Sequence, residues 1–339
     1  MSRWNIGIVG SGMIAEFHAM AINDLPNASI AGFCDNGSGR AGILAEKYNC
    51  KHFSNSEKLI HAPNINMITI ASPSGNHLEP ALLAAEVGKH VLCEKPMEIT
   101  PQRVDQMIEA HRKSGTYLGG IFPYRFNENL APLKKAIDSG RFGKITYAGV
   151  HVPWWRNEEY YKDNWRGTWD LDGGGALMNQ SIHMIDMLLL LMGPVKDLKA
   201  FGGTLAHNIE AEDTVTATLS FENGALGMIY GTTTSFPGDF RRLEIRGTKG
   251  TVVQVENSFE KWEFEEEKPE DEGIRTRFGV IDGGGGASDP SAIPYVNHTR
   301  NFEAFINAIE TNEPFAIDGI ESKKAVDLII RIYKSAGLR

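Results

Sequence analysis

Cysteine is scarce, with three in 339 residues (Cys34, Cys50, Cys93) and no C-x-x-C pair. That excludes a disulfide framework and a zinc knuckle, and suits a reducing compartment. The thiols are expected to act as small buried apolar groups. Basic charge is also short: 34 Lys and Arg against 43 Asp and Glu leave a net charge of -9. No cationic field gathers a phosphate backbone, so nucleic acid is excluded as an expected partner. Long apolar runs are missing. Met184 to Met192 is broken by Asp186 and falls far short of the ~20 residues of a membrane span. The opening MSRWNIGIVGSGMI meets a glycine motif directly, without the basic start and long apolar core of an export signal. A cytoplasmic chain with no membrane partner is expected. No His-x-x-x-His helix or thiolate cluster supports a metal, and no G-x-S-x-G elbow supports a serine nucleophile.

What is present is ordinary globular material, 42% apolar, 23% charged and 9% aromatic, long enough for about two domains. From Asn5 to about Gly120, short β-type runs (NIGIVG, SIAGFCD, MITIAS, HVLCE, TYLGG) alternate with helix-forming stretches. That alternation predicts a parallel sheet with crossover helices, assigned to residues 1–121. In 122–339 longer β-type runs dominate, with hairpin turns at Asn223-Gly224 and Lys249-Gly250. Two helical regions interrupt them. Gly174 to Met192 carries an apolar stripe at Met178, Ile182, Ile185 and Leu189. Asn297 to the C-terminus reads as two helices around Pro314, expected to pack back on the first domain. The acidic stretch Glu263 to Glu272 reads as a solvated hairpin or loop, and Asp282 to Ser288 as a flexible connection or a lid. There is no internal repeat.

NIGIVG-SGMIA places Gly10, Gly12 and Ala15 in a G-x-G-x-x-A pattern where the first strand turns into a helix. Gly10 permits the turn, Gly12 clears the approach of a pyrophosphate, and Ala15 lets helix and strand pack. Ser11, Met13 and Ile14 complete the cradle, whose amides attract the anion. Asp35 ends the second strand, 23 residues after Gly12, where a carboxylate binds the ribose hydroxyls of NAD. NAD is the expected cofactor. NADP is the alternative, because Ser38 and Arg40 follow closely. Ser72, Asn76 and His77 at another strand end are placed along the cofactor, His77 as a helix-start histidine rather than a catalyst. The fifth strand ends in HVLCEKPM, so Glu94 and Lys95 reach the same crevice. A lysine held between strand and proline suits proton transfer or polarisation of a hydroxyl.

In GGGALMNQSIHMIDMLL, residues 173 to 189, Asn179, His183 and Asp186 recur at intervals of 4 and 3 and form one polar strip. His183 is the natural general acid or base. Gly173 to Gly175 either admit a ligand to the backbone or form a loop entering the helix.

The early glycine turn, the strand-end E-K-P and the G-G-G-A-L-x-N-Q-x-x-H-x-x-D helix together resemble the glucose-fructose oxidoreductase and inositol dehydrogenase family (Gfo/Idh/MocA). The resemblance implies a Rossmann domain followed by an α/β domain with a large, mostly antiparallel open sheet that serves in a homodimer or homotetramer. It implies that Lys95 and His183 line the reaction centre, and that Pro96 follows a cis bond. The family often has Asp where this chain has Asn179, and an amide cannot take up a proton as a carboxylate does. Asn-Gln points to the branch similar to dehydrogenases acting at C3 of UDP-sugar acids and of free or anhydro sugars. YYKDNWRGTWDLDGGGALMNQ looks like the same branch. Trp165, Arg166, Tyr124 and Arg125 are thereby placed near cofactor or substrate. Trp154, Trp155, Tyr160 and Tyr161 either stack on a ligand ring or pack a subunit contact.

The implied reaction is reversible hydride transfer between a sugar carbinol and nicotinamide. His183 exchanges the hydroxyl proton, Lys95 stabilises the alkoxide and Asn179 orients a neighbouring hydroxyl, the base itself being either Lys95 or His183. It requires the ammonium and the imidazole to converge on one carbinol. Two rivals are a glycosidase that recycles its NAD and a non-catalytic sensor of the cofactor.

Overall fold

The computed structural model describes residues 4–162, 165–280 and 294–339. In chain order the first half runs β1 (Trp4–Val9), α1 (Met13–Asn23), β2 (Ala28–Cys34), α2 (Arg40–Lys47), β3 (Lys51–Phe53), α3 (Ser56–Ile60), β4 (Met67–Ile70), α4 (Leu78–Glu86), β5 (His90–Cys93), α5 (Pro101–Ser114) and β6 (Leu118–Gly120). There follow α6 (Leu130–Asp138), β7 (Ile145–Pro153), a π-helical turn (Ala176–Ser181), α7 (Ile182–Met192), β8 (Val195–Gly203), β9 (Thr214–Phe221) and β10 (Leu226–Thr232). The chain closes with β11 (Arg242–Gly247), β12 (Gly250–Val255), β13 (Ser258–Phe264), α8 (Pro269–Phe278), α9 (Val296–Thr311) and α10 (Gly319–Ser335).

The chain divides into two compact units. The first comprises residues 1–123, 170–173 and 294–326. Its sheet has the order β3-β2-β1-β4-β5-β6 with every pairing parallel, the doubly wound arrangement whose chain reverses direction across β1 and β4. The strands read as continuous apolar runs because helices bury both faces: Ile6, Ile8, Ile68, Ile70, Val91 and Leu92 are inaccessible to solvent. α9 packs against α1, and Asn301 on α9 accepts the Phe122 amide at 3.0 Å and donates to the Gly120 carbonyl at 3.3 Å. A segment late in the sequence thus finishes the early sheet.

The second unit comprises residues 124–169, 174–293 and 327–339. Its seven strands run β13-β12-β11-β7-β10-β9-β8. All pairings are antiparallel except β7 with β10. The two expected hairpins join β9 to β10 and β11 to β12. One face of the sheet is covered by α7, which packs on β7. The acidic stretch departs from expectation. It spans the end of β13 and the start of α8, and Asp271 within it is buried against Arg141 (2.6 and 2.7 Å) and the Trp262 indole (2.7 Å). An acid among acids goes inside because a guanidinium meets it there. Cys34 and Cys93 are buried as expected, whereas Cys50 is half-buried. The tract 282–288 lies outside the described residues. Among the described residues, no helix is long and apolar enough to cross a membrane.

Candidate active site

In the first unit, Gly10 is held at φ +116°, and a Cβ there would stand 2.5 Å from the Ala71 carbonyl oxygen. Only glycine tolerates that turn. Gly12, the N-cap of α1, has an extended backbone and nothing within 4 Å of the position of its missing Cβ. Internal packing does not require glycine here; the space it leaves lies over the amides of a helix start, where an anion binds. Ala15 is fully buried, Ser11 nearly so, and Met13 is 39% exposed. Asp35 accepts the Gly37 amide (2.9 Å), the Ala41 amide and the Ser38 hydroxyl (both 2.8 Å), and at 3.4 Å the Ser11 hydroxyl. Desolvation pushes its carboxyl up, but these four donors outweigh that and hold it below the ordinary range. An ionised acceptor at this strand end fits the paired hydroxyls of a ribose, so the cradle and the acid together fit NAD.

Lys95 is half-buried and its peptide to Pro96 is cis, as expected. Two neighbours lie deeper than the sequence suggests. Glu94, expected to reach the cofactor with Lys95, is 5% exposed and turned inward. Its Oε1 lies 3.0 Å from His18 Nε2 and its Oε2 accepts the Lys95 amide at 3.0 Å. Desolvation raises this carboxyl, yet the hydrogen bond with His18 and the His298 imidazole 3.7 Å away hold it well below the usual carboxylate range. His77, placed along the cofactor by sequence, is 1% exposed. Its Nε2 lies 2.9 Å from the Ser72 carbonyl, and its Nδ1 lies 3.0 and 3.2 Å from the Pro96 and Met97 carbonyls. It ties the loop after β4 to the loop after β5. Ser72 donates to the Asn76 carbonyl at 3.3 Å, and Asn76 is exposed.

Sequence reasoning missed the interior partners of Glu94. His18 from α1, Glu94 and His298 from α9 bring one nitrogen or oxygen each within 4.8 Å of one another. Thr69 on β4 extends the chain of contacts, with its hydroxyl 3.0 Å from His18 Nδ1 and donating to the Leu92 carbonyl. His18 stands six residues after Gly12 on a mostly buried helix, a signal that a polar partner had to exist.

In the second unit, His183 is half-buried, with its ring 4.7 Å from that of Tyr124. Tyr124 is 8% exposed and carries the Arg241 guanidinium 4.1 Å from its ring centroid. It packs beside the imidazole. Arg125, expected at the substrate, grips Asp186 with its guanidinium at 2.7 and 2.6 Å, both side chains being buried. The third member of the polar strip is therefore half of an interior ion pair. Asn179 stays half-buried on the π turn, ahead of His183. The aromatic segment packs on itself. Arg166 lies 4.5 Å from the ring centroid of Tyr160 and 4.9 Å from that of Trp165, Trp154 is buried, and Gln180 donates to the Tyr160 hydroxyl at 3.1 Å.

The parallel sheet, its glycine turn and the ribose-type acid define an NAD-dependent oxidoreductase. Residues 4–120 match the GFO/IDH/MocA oxidoreductase family with NAD-binding Rossmann fold, and residues 130–253 match the C-terminal domain of that family. The chain belongs to it. It is 31% identical to the oxidoreductase YrbE of Bacillus subtilis, over 73% of this chain and 72% of that protein. It is 27% identical to the myo-inositol 2-dehydrogenase of Thermotoga maritima, over 97% and 95%. Among solved structures it is similar to the WlbA dehydrogenase of Bordetella pertussis in complex with NADH and UDP-GlcNAcA. That likeness has a TM-score of 0.90 at 33% identity and covers 99% of this chain and 96% of the other.

Proposed function

We propose that the protein oxidises, reversibly, a secondary alcohol of a sugar or nucleotide sugar at C3. The observation that carries this reading is the likeness over nearly the whole chain to a dehydrogenase crystallised with NADH and UDP-GlcNAcA, on a chain whose own cradle fits the dinucleotide. Gly12, the amides of α1 and Asp35 would hold NAD, whose nicotinamide supplies the hydride acceptor. His183 takes the proton of the substrate hydroxyl. The Tyr124 ring, 4.7 Å away and tilted by 37°, limits the rotation of the imidazole that must meet the hydroxyl. Lys95, whose backbone amide is anchored on Glu94, is the cation assigned to the negative charge that develops in the reaction. Asn179 donates or accepts at a neighbouring hydroxyl without entering the proton inventory.

The test is a panel of free sugars, cyclitols including myo-inositol, and UDP-sugars, offered with NAD and with NADP. An alcohol-dependent rise in NADH absorbance is expected. K95M should lower kcat by about a hundredfold or more while NADH binding stays near normal. No turnover across the panel, or near-normal turnover by K95M, overturns the reading.

We further propose a cytoplasmic protein that assembles with a second copy of itself through the uncovered face of its large sheet. Free thiols at Cys34, Cys50 and Cys93 support the first point. The second is supported by Phe201 and Leu226, 82% and 62% exposed on strands β8 and β10. Light scattering that finds a monomer at micromolar concentration would count against it.

A further inference from the structure

The helix that bears Asn179 and His183 begins without a cap of its own. Its N-cap is Gly175, which has no side chain to offer, although a helix start leaves its first amides unpaired. One distant residue fills three of them in succession. Glu212 Oε2 accepts the Gly175 amide at 2.7 Å, the Glu212 carbonyl accepts the Ala176 amide at 3.0 Å, and Oε1 accepts the Leu177 amide at 2.8 Å. The Tyr333 hydroxyl donates to the same Oε1 at 2.9 Å. Glu212 is wholly buried.

The glycines of the motif are shaped to this acid. A Cβ on Gly175 would stand 1.8 Å from the Glu212 carbonyl oxygen, and one on Gly174 would stand 2.1 Å from the Tyr333 hydroxyl. They are small because Glu212 and Tyr333 press against them. The turn so gripped, Ala176–Ser181, is π-helical. Such turns are uncommon and recur at functional sites. Each π step rotates the chain by less than the ~100° of an α step. Asn179 and His183, four residues apart, therefore stand closer to one line than a regular helix would set them.

We propose that Glu212 is a positioning residue: by holding the amides of the N-cap Gly175 and of the first two residues of the π turn, it sets the line along which Asn179 and His183 are presented to substrate. The inference rests on the roles given to those two residues above. Burial pushes the Glu212 carboxyl up to about 7, while the Leu177 amide, the Tyr333 hydroxyl and the Gly175 amide pull it back. A buried carboxyl is costly in such a place even with three donors around it, and its retention fits a geometric task that a smaller apolar residue could not perform.

The test compares wild type with E212Q, Y333F and H183N. E212Q keeps the shape but turns a donor toward the Gly175 amide, and Y333F removes only the hydroxyl. NADH binding is followed by fluorescence, and kcat and KM are measured on the alcohol the panel identifies. The imidazole of His183 is followed by NMR in chain labelled with carbon-13 histidine, its signal assigned by its loss in H183N. E212Q is expected to lower kcat about tenfold or more, and Y333F about two- to fivefold, with KM within about threefold and NADH affinity within about twofold. The His183 signal should move in both variants while the other histidine signals stay in place. Wild-type kcat with an unmoved His183 signal overturns the inference. So does simultaneous loss of NADH binding and displacement of every histidine in both variants, since Glu212 would then support the fold at large. Near-normal turnover by H183N is a different result: it removes the reading of His183 itself, which no outcome with E212Q can do.

Discussion

Glu94 Oε1 lies 3.0 Å from His18 Nε2, and the other oxygen of the same carboxylate accepts the amide of Lys95. The residue beside the lysine is thus bonded to the helix that starts at the dinucleotide turn. Cofactor cradle and lysine share one interior contact. Replacing His18 by Phe leaves a buried carboxylate short of a donor, and should cost about 3 kcal/mol in urea unfolding. A loss below ~1 kcal/mol would show that the contact carries no strain-free bond of consequence.

The two glycines of the turn should fail differently. G10A meets the Ala71 carbonyl and a left-handed backbone, so it should lose about 2 kcal/mol or more of stability. G12A meets nothing, so it should unfold like wild type yet bind NADH at least about tenfold more weakly. Wild-type NADH affinity in a fluorescence titration of G12A would remove the pyrophosphate from this spot.

Asp35 is expected to choose the cofactor. D35A should weaken NADH binding about tenfold, and should narrow the preference over NADPH, because the charge that repels a 2'-phosphate is gone. Unchanged discrimination in D35A would assign the choice elsewhere.

The Arg125–Asp186 pair separates structure from substrate contact. R125M strands a buried carboxylate and should cost about 3–5 kcal/mol, whereas R125M combined with D186L should recover most of it. If R125M instead raises KM with stability intact, Arg125 belongs to the substrate after all.

Glu212 makes stability depend on pH in a definite direction. Its carboxyl titrates near 7 in the folded chain, above the ordinary 4.5, so the native state holds the extra proton between those values. The unfolding free energy from this group is full below about pH 4.5 and falls as pH rises through about 7, by roughly 3 kcal/mol in all. E212Q should lack that slope. Parallel pH dependences for wild type and E212Q, from urea unfolding at pH 5 and pH 8, would contradict it.

The parallel sheet was legible because fully buried strands print as apolar runs. β3 was not: Lys51, His52 and Phe53 form a three-residue strand at the edge of the sheet, with Lys51 and His52 exposed, and carry no periodic signal. The π turn was invisible for another reason. Glu212, which accepts the amides at its start, comes 35 positions after Leu177, and the stripe Met178, Ile182, Ile185 reads equally well as an ordinary helix. The ion pair of Arg125 was hidden because its partner lies 61 positions away. The clue was Asp186 itself, an acid in an otherwise apolar helix, which needs a cation inside the protein. Asp271 concealed its burial in the same way, within a run of surface acids.

The placement of α9 against α1 bears on how the chain is made. A ribosome delivers about 5–20 residues per second, so β1 to β6 emerge long before residues 296–311 that seal them. During that interval the nascent sheet lacks Asn301 against Phe122 and lacks His298 beside Glu94. The nucleotide-binding half is therefore completed only once residues 296–311 have been made, and a nascent chain halted near residue 290 should display a protease-sensitive amino-terminal half.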